Sequence, residues 1–123
     1  MAEADYRAVP DGGVLERLDS GLSIVRRRKH EWSPRLDQLE GNALTDYTSK
    51  VRGSKFAREW TLERQVQWVR EQLQMLGWDA QTPAQDHTVD VETPIGYSMG
   101  RGVTKIRIDL SSRCVHAYPV ENG

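Results

Sequence analysis

Leu62, Val66, Val69, Leu73 and Leu76 constrain this chain more tightly than any other feature. Their spacings of three and four place them on one stripe of a helix, whereas a strand would scatter them over both faces. Thr61 stands where a helix wants an N-cap hydroxyl, and Glu63 lies in the first turn, where the helix dipole favours a carboxylate. Gly77 follows the last apolar position, as a left-handed terminator does, and Trp78 is placed to fold back onto the final turn. The pattern predicts a helix over residues 61–76 with one buried face. A chain of 123 residues has room for one core against which that face can pack.

After Thr82-Pro83 the period changes from helical to two. Thr88 to Val91 and Ile95 to Met99 are short β-like pieces, Gly100-Arg101-Gly102 reads as a loop, and Thr104 to Leu110 alternates strictly. Ile106, Ile108 and Leu110 take one face of that strand, and Lys105, Arg107 and Asp109 the other. Ser111-Ser112 is short enough for a hairpin turn, and Arg113 to Tyr118 reads as the returning strand, stopped by Pro119. Upstream, Val14 to Leu18 fits a helical turn and Leu22 to Val25 a short strand. Ser33-Pro34 opens a helix carrying Leu36 and Leu39, with Gly41-Asn42 as its stop. Phe56 and Trp60 fit a short helix before the long one. The expectation is an α+β fold with N-terminal helices packed against a C-terminal antiparallel sheet. It forms a single domain over residues 13–123, behind a flexible tail of residues 1–12 that ends in the turn formers Pro10-Asp11-Gly12-Gly13.

A formal net charge of -1 excludes a global field that would draw in nucleic acid or an anionic membrane, so such binding would need a local patch. The single cysteine, Cys114, cannot form an internal disulfide, which fits a reducing compartment. No apolar run is long enough to cross a bilayer or form the core of a signal peptide. A cytoplasmic location is therefore expected. His30, His87 and His116 have no ligand-like spacing with one another or with Cys114, so no metal or other cofactor is expected.

Two groups of residues suit chemistry. In the last strand Cys114, His116 and Tyr118 share one face, where an imidazole and a phenol can exchange protons with a substrate or stabilise a developing oxyanion. The plain alternative is that they cover the wet side of a hairpin. Arg26-Arg27-Arg28-Lys29-His30 is the densest basic run, and its guanidinium groups match phosphate oxygens with paired donors. Its plain alternative is a solvated loop. Trp32, beside the run, is the one tryptophan placed to stack on a base; Trp60, Trp68 and Trp78 read as packing.

The order of motifs resembles that of the RNase A-like C-terminal toxin domains of bacterial contact-dependent and polymorphic toxin systems. The likeness runs from Gly12-Gly13 through Ser20-Gly21-Leu22-Ser23-Ile24, Arg35-Leu36, Ser54-Lys55-Phe56 and the stripe Leu62 to Leu73. It continues through Pro94-Ile95-Gly96 and Thr104 to Leu110 to His116-Ala117-Tyr118-Pro119. The resemblance implies a metal-independent ribonuclease that cleaves RNA by attack of the ribose 2′-hydroxyl, delivered to a target cell's cytoplasm. Under it His116, Tyr118 and His30 are the catalytic candidates, and Arg27, Arg28, Lys29 and Trp32 the substrate-binding ones. Two departures matter. The family's catalytic histidine falls at Leu22, and its threonine before the tyrosine is His116. Either the site has been rebuilt around His116 with His30, or the chain is a non-catalytic relative that binds a protein partner, such as an immunity-type or regulatory protein. The ribonuclease reading is preferred.

Overall fold

The structure, a computed structural model, describes residues 12–121. The tail read over residues 1–12 lies outside them, apart from Gly12. Among the described residues, eight strands, two α-helices and two 3₁₀ turns follow in the order β1 (Val14–Arg17), β2 (Ser23–Val25), the turns Arg28–His30 and Leu36–Gln38, α1 (Gly41–Tyr47), β3 (Lys55–Phe56), α2 (Leu62–Leu76), β4 (Gln85–Asp90), β5 (Gly96–Ser98), β6 (Arg101–Val103), β7 (Lys105–Ser111) and β8 (Cys114–Val120). The chain divides into two compact units. Of the described residues, the first holds 12–28 with Glu63–His87 and Ile108–Ala117, and the second holds Lys29–Leu62, Thr88–Arg107 and 118–121.

The expected layering of N-terminal helices on a C-terminal antiparallel sheet is wrong. Strands outnumber helices, they form two sheets, and three of them precede α2. Nor is the larger sheet purely antiparallel. Its order is β1-β2-β8-β7-β4, and β2 runs parallel to β8, with Ser23 beside Cys114 and Ile24 beside Val115. The reason is length. Strands as short as β1 and β3 show at most two periods of alternation, too few to stand out from loop or helix in sequence, and they persist because partner strands complete their ladders. Val14–Leu18 is accordingly a strand, bulged between Val14 and Glu16 where it pairs with β2. The helix read from Ser33-Pro34 shrinks to the turn Leu36–Gln38, and α1 starts at Gly41, where a stop was expected.

In the first unit α2 matches its prediction. Gly77 takes φ 70°, and two hydrogen bonds close the end: Gly77 N–H to the Gln74 carbonyl at 3.2 Å and Trp78 N–H to the Leu73 carbonyl at 3.2 Å. Those two bonds satisfy carbonyls that the helix would otherwise leave unpaired. Val69 and Leu73 are buried with Leu22, Ile24, Trp78, Ile108, Leu110 and Val115, and Ala117 packs against the same cluster. The alternation of β7 thus holds, with Ile108 fully buried. Its turn does not lie at Ser111-Ser112. Ser112 and Arg113 take φ 50° and 66°, the two left-handed positions of a type I′ hairpin, and β8 continues through Pro119 to Val120.

In the second unit β3, β5 and β6 form an antiparallel sheet, with Phe56 opposite Gly96 and Tyr97 opposite Gly102. Thr48, at the end of α1, accepts the Gly100 N–H on its Oγ1 at 2.7 Å and the Met99 N–H on its carbonyl at 2.9 Å. These bonds pin the β5–β6 hairpin tip to α1.

Candidate functional site

Because Val115 and Ala117 face the core, Cys114 and His116 point to the other side of β8. There they line an open cleft of about 470 Å³ in the first unit with Arg27, Asp86, Asp109 and Ser111. His116 Nε2 lies 4.0 Å from Asp109 Oδ2, and the two side chains are 24% and 34% exposed. That separation is an ion-pair distance rather than a hydrogen bond, and it suits a carboxylate that stabilises an imidazolium once a proton has been taken up. Arg27 Nη1 donates to the Arg26 carbonyl at 3.1 Å, which ties the guanidinium to the backbone of the cleft wall. The lining sets the Arg27 guanidinium against the carboxylates of Asp86 and Asp109, so in this lining the cation that faces a phosphate is Arg27.

His30 and Tyr118 lie in the second unit. His30 is 7% exposed, and its Nδ1 is 2.8 Å from the Ser54 carbonyl. A carbonyl only accepts, so Nδ1 carries the hydrogen and Nε2 is the acceptor nitrogen of the neutral ring. The imidazole stacks on Tyr118 with centroids 4.8 Å apart and planes 16° apart, and Ser54 Oγ donates to the Pro119 carbonyl at 2.6 Å. These bonds hold the pair as a packed element between the turn Arg28–His30, β3 and β8.

The catalytic candidates therefore fall into two groups, His116 with Arg27 and His30 with Tyr118. Arg28 and Lys29 are exposed on the turn Arg28–His30. Trp32 is half-buried. Its Nε1 donates to Asp37 Oδ2 at 2.9 Å, and Arg58, which bonds the same carboxylate at 3.1 Å, sits 4.8 Å from its ring centroid. A base stacking on Trp32 would meet a ring already covered on one side by a guanidinium.

Two features were not singled out from sequence. Asp109 appeared only as a polar position of an alternating strand. A two-residue turn at Ser112-Arg113 sets it opposite His116, while a turn at Ser111-Ser112 would have set Arg107 there. The other is Lys55, 5% exposed, whose Nζ donates to the carbonyls of Arg52 at 2.6 Å and Gly53 at 2.9 Å and lies 4.8 Å from the Tyr47 ring centroid. Burial, then the charges of Arg52 and Lys29, pushes its ammonium down from 10.5 to about 8. Nothing in local sequence marks a lysine as buried.

Among the described residues no group of three His, Cys, Asp or Glu side chains is arranged to hold a metal ion, and no helix is long and apolar enough to cross a membrane. Comparison with known protein families, with curated proteins and with solved structures finds no match to this chain.

Proposed function

We propose that this chain is a metal-independent ribonuclease of the RNase A-like toxin type, with the His116 cleft as its active site. The observation that supports this reading is the company of His116: an imidazole, a carboxylate at ion-pair distance and a guanidinium line one open cleft. His116 takes the proton of the ribose 2′-hydroxyl, and that oxygen attacks the adjacent phosphorus. Arg27 balances the charge gathering on the phosphoryl oxygens. The imidazolium, held by Asp109, keeps that proton, and water on the far side of the phosphorus protonates the departing 5′-oxygen. The products are a 2′,3′-cyclic phosphate and a free 5′-hydroxyl. No base-specific contact is part of the proposal; splayed single-stranded RNA suits an open cleft better than a duplex does.

Leu22 favours a second reading. It is 1% exposed within the core, so the position the resemblance gives to the catalytic histidine cannot transfer a proton in this chain. A non-catalytic relative that binds an immunity-type or regulatory protein would need no histidine there.

Cleavage of end-labelled tRNA and total RNA in EDTA, by the wild type, His116→Ala and Asp109→Asn, separates the two. Loss of a general acid–base group costs about 10²–10⁴ in rate, so cleavage should fall by at least about 100-fold in His116→Ala and less in Asp109→Asn. Cleavage indifferent to His116→Ala, or none from a folded wild type, overturns the ribonuclease reading.

A further inference from the structure

Apart from the His116 cleft, the second unit gathers three cations about one aromatic ring. Arg35 Cζ lies 5.2 Å, Arg52 Cζ 5.8 Å and Lys55 Nζ 4.8 Å from the Tyr47 ring centroid. Lys29 lies beside this group, against Gly53. Gly53 at φ 91° lets the backbone run against it, and a Cβ there would come within 3.1 Å of the Lys29 carbonyl and of its Cγ. The platform is fixed, because Tyr47 Oη and Ser33 Oγ share a hydrogen bond of 2.8 Å.

Among the described residues this positive charge is poorly answered. One carboxylate of the described residues, Asp46, pairs with the cluster, 3.4 Å from Arg52, and the two side chains are 71% and 46% exposed. Exposed pairs of that kind contribute little. The lowered Lys55 ammonium reports the same crowding, since Arg52 and Lys29 disfavour its charge. Lys55 cannot itself reach a ligand, being buried and engaged with two carbonyls. It adds its field from beneath, while Lys29 and Arg35 are exposed and Arg52 partly so. Guanidinium groups held over a fixed ring are preorganised donors for phosphate oxygens.

We propose that Arg35, Arg52 and Lys55 around Tyr47, with Lys29 beside Gly53, form a binding site for the phosphates of single-stranded nucleic acid, with Arg35 and Arg52 as the direct contacts. The choice of nucleic acid as the ligand rests on the ribonuclease reading; the site itself stands on the cluster.

Fluorescence anisotropy of a labelled 2′-O-methyl oligonucleotide, titrated with protein across a series of salt concentrations, tests this without any cleavage, because the probe has no nucleophilic 2′-hydroxyl. Arg35→Gln/Arg52→Gln should weaken binding by at least about tenfold at low salt. It should also reduce the slope of log affinity against log salt by about 1.4, or about 0.7 for each single-strand phosphate that is no longer neutralised. Arg64→Gln/Arg101→Gln removes the same charge from exposed positions outside the cluster and should leave affinity within about twofold. Circular dichroism establishes that both variants are folded, and Lys29→Gln, at an exposed side chain, should give a smaller loss in the same direction. Equal affinity and slope for the wild type and Arg35→Gln/Arg52→Gln, or no wild-type binding, overturns the inference. So does displacement of the probe by inorganic phosphate beyond the effect of matched chloride, which marks a small-anion site. Probe binding lost in Arg35→Gln/Arg52→Gln, from a wild type that cleaves no RNA, upholds this site and rejects the ribonuclease reading.

Discussion

Raising the pH from 7 to 10 should relieve a destabilising charge in this protein, that of Lys55. Its ammonium is pushed down from 10.5 to about 8 in the folded state, chiefly by burial and then by Arg52 and Lys29, whereas the unfolded chain keeps the ordinary value. Below pH 8 both states hold the proton and the cost of the buried charge is carried in full. Between 8 and 10.5 the unfolded state binds a proton that the folded state has released, so stability rises with pH through that window. Integrating the two titrations between pH 7 and 10 gives a gain of about 2 kcal/mol. Other lysines and tyrosines titrate over the same range, and Lys55→Met isolates the effect, since it keeps the apolar stem and removes the ammonium. The variant also leaves the Arg52 and Gly53 carbonyls without their donor, a loss that does not vary with pH. Urea unfolding followed by tryptophan fluorescence at pH 7, 8, 9 and 10 supplies the comparison. The wild type should gain about 2 kcal/mol on Lys55→Met from the lowest pH to the highest. A difference flat to within about 0.5 kcal/mol would refute the claim that this ammonium is desolvated.

Ile108→Ala empties a fully buried position beside Val69 and Leu73 and should cost about 2–5 kcal/mol, read as a lower urea midpoint with unchanged slope. A wild-type midpoint would mean that β7 does not carry α2 there. Ser112→Asn/Arg113→Gly replaces two residues held at φ 50° and 66° by the pair that a type I′ turn prefers, and should add about 1–2 kcal/mol. A lower thermal midpoint in that variant would contradict the turn geometry.

Sequence disclosed the elements whose signal is local and long. The stripe from Leu62 to Leu76 needs about four turns to write and therefore reads unambiguously, and Ile106, Ile108 and Leu110 write out three periods of a strand. Among the early strands Ser23–Val25 was legible as one, whereas β1 was not, because its stability is borrowed. Val14–Arg17 fits a helical turn in sequence and becomes a strand by pairing with β2, and no window of a few residues records that. The site followed the same division. His116 and Arg27 were visible as residue types, but their carboxylate partner depended on a one-residue shift in the hairpin turn. Arg113 at φ 66° hid that shift, because arginine is not a residue that announces a left-handed position. Lys55 remained hidden because its burial is decided by Tyr47, Arg52 and Gly53 in three dimensions.

The parallel pairing of β2 with β8 has a consequence for how the chain is made. Ser23 and Ile24 find their partners at Cys114 and Val115, far along the chain. During synthesis the β1–β2 hairpin and α2 leave the ribosome long before the strand that must slot between β2 and β7 exists. Until then one edge of β2 and the apolar stripe of α2 stay exposed to other chains. Folding should therefore be slow for a chain of this length, limited by closure of a long loop. A nascent chain arrested before Cys114 would present the first unit as an unfinished sheet, a substrate for chaperones and proteases rather than a smaller version of the same fold.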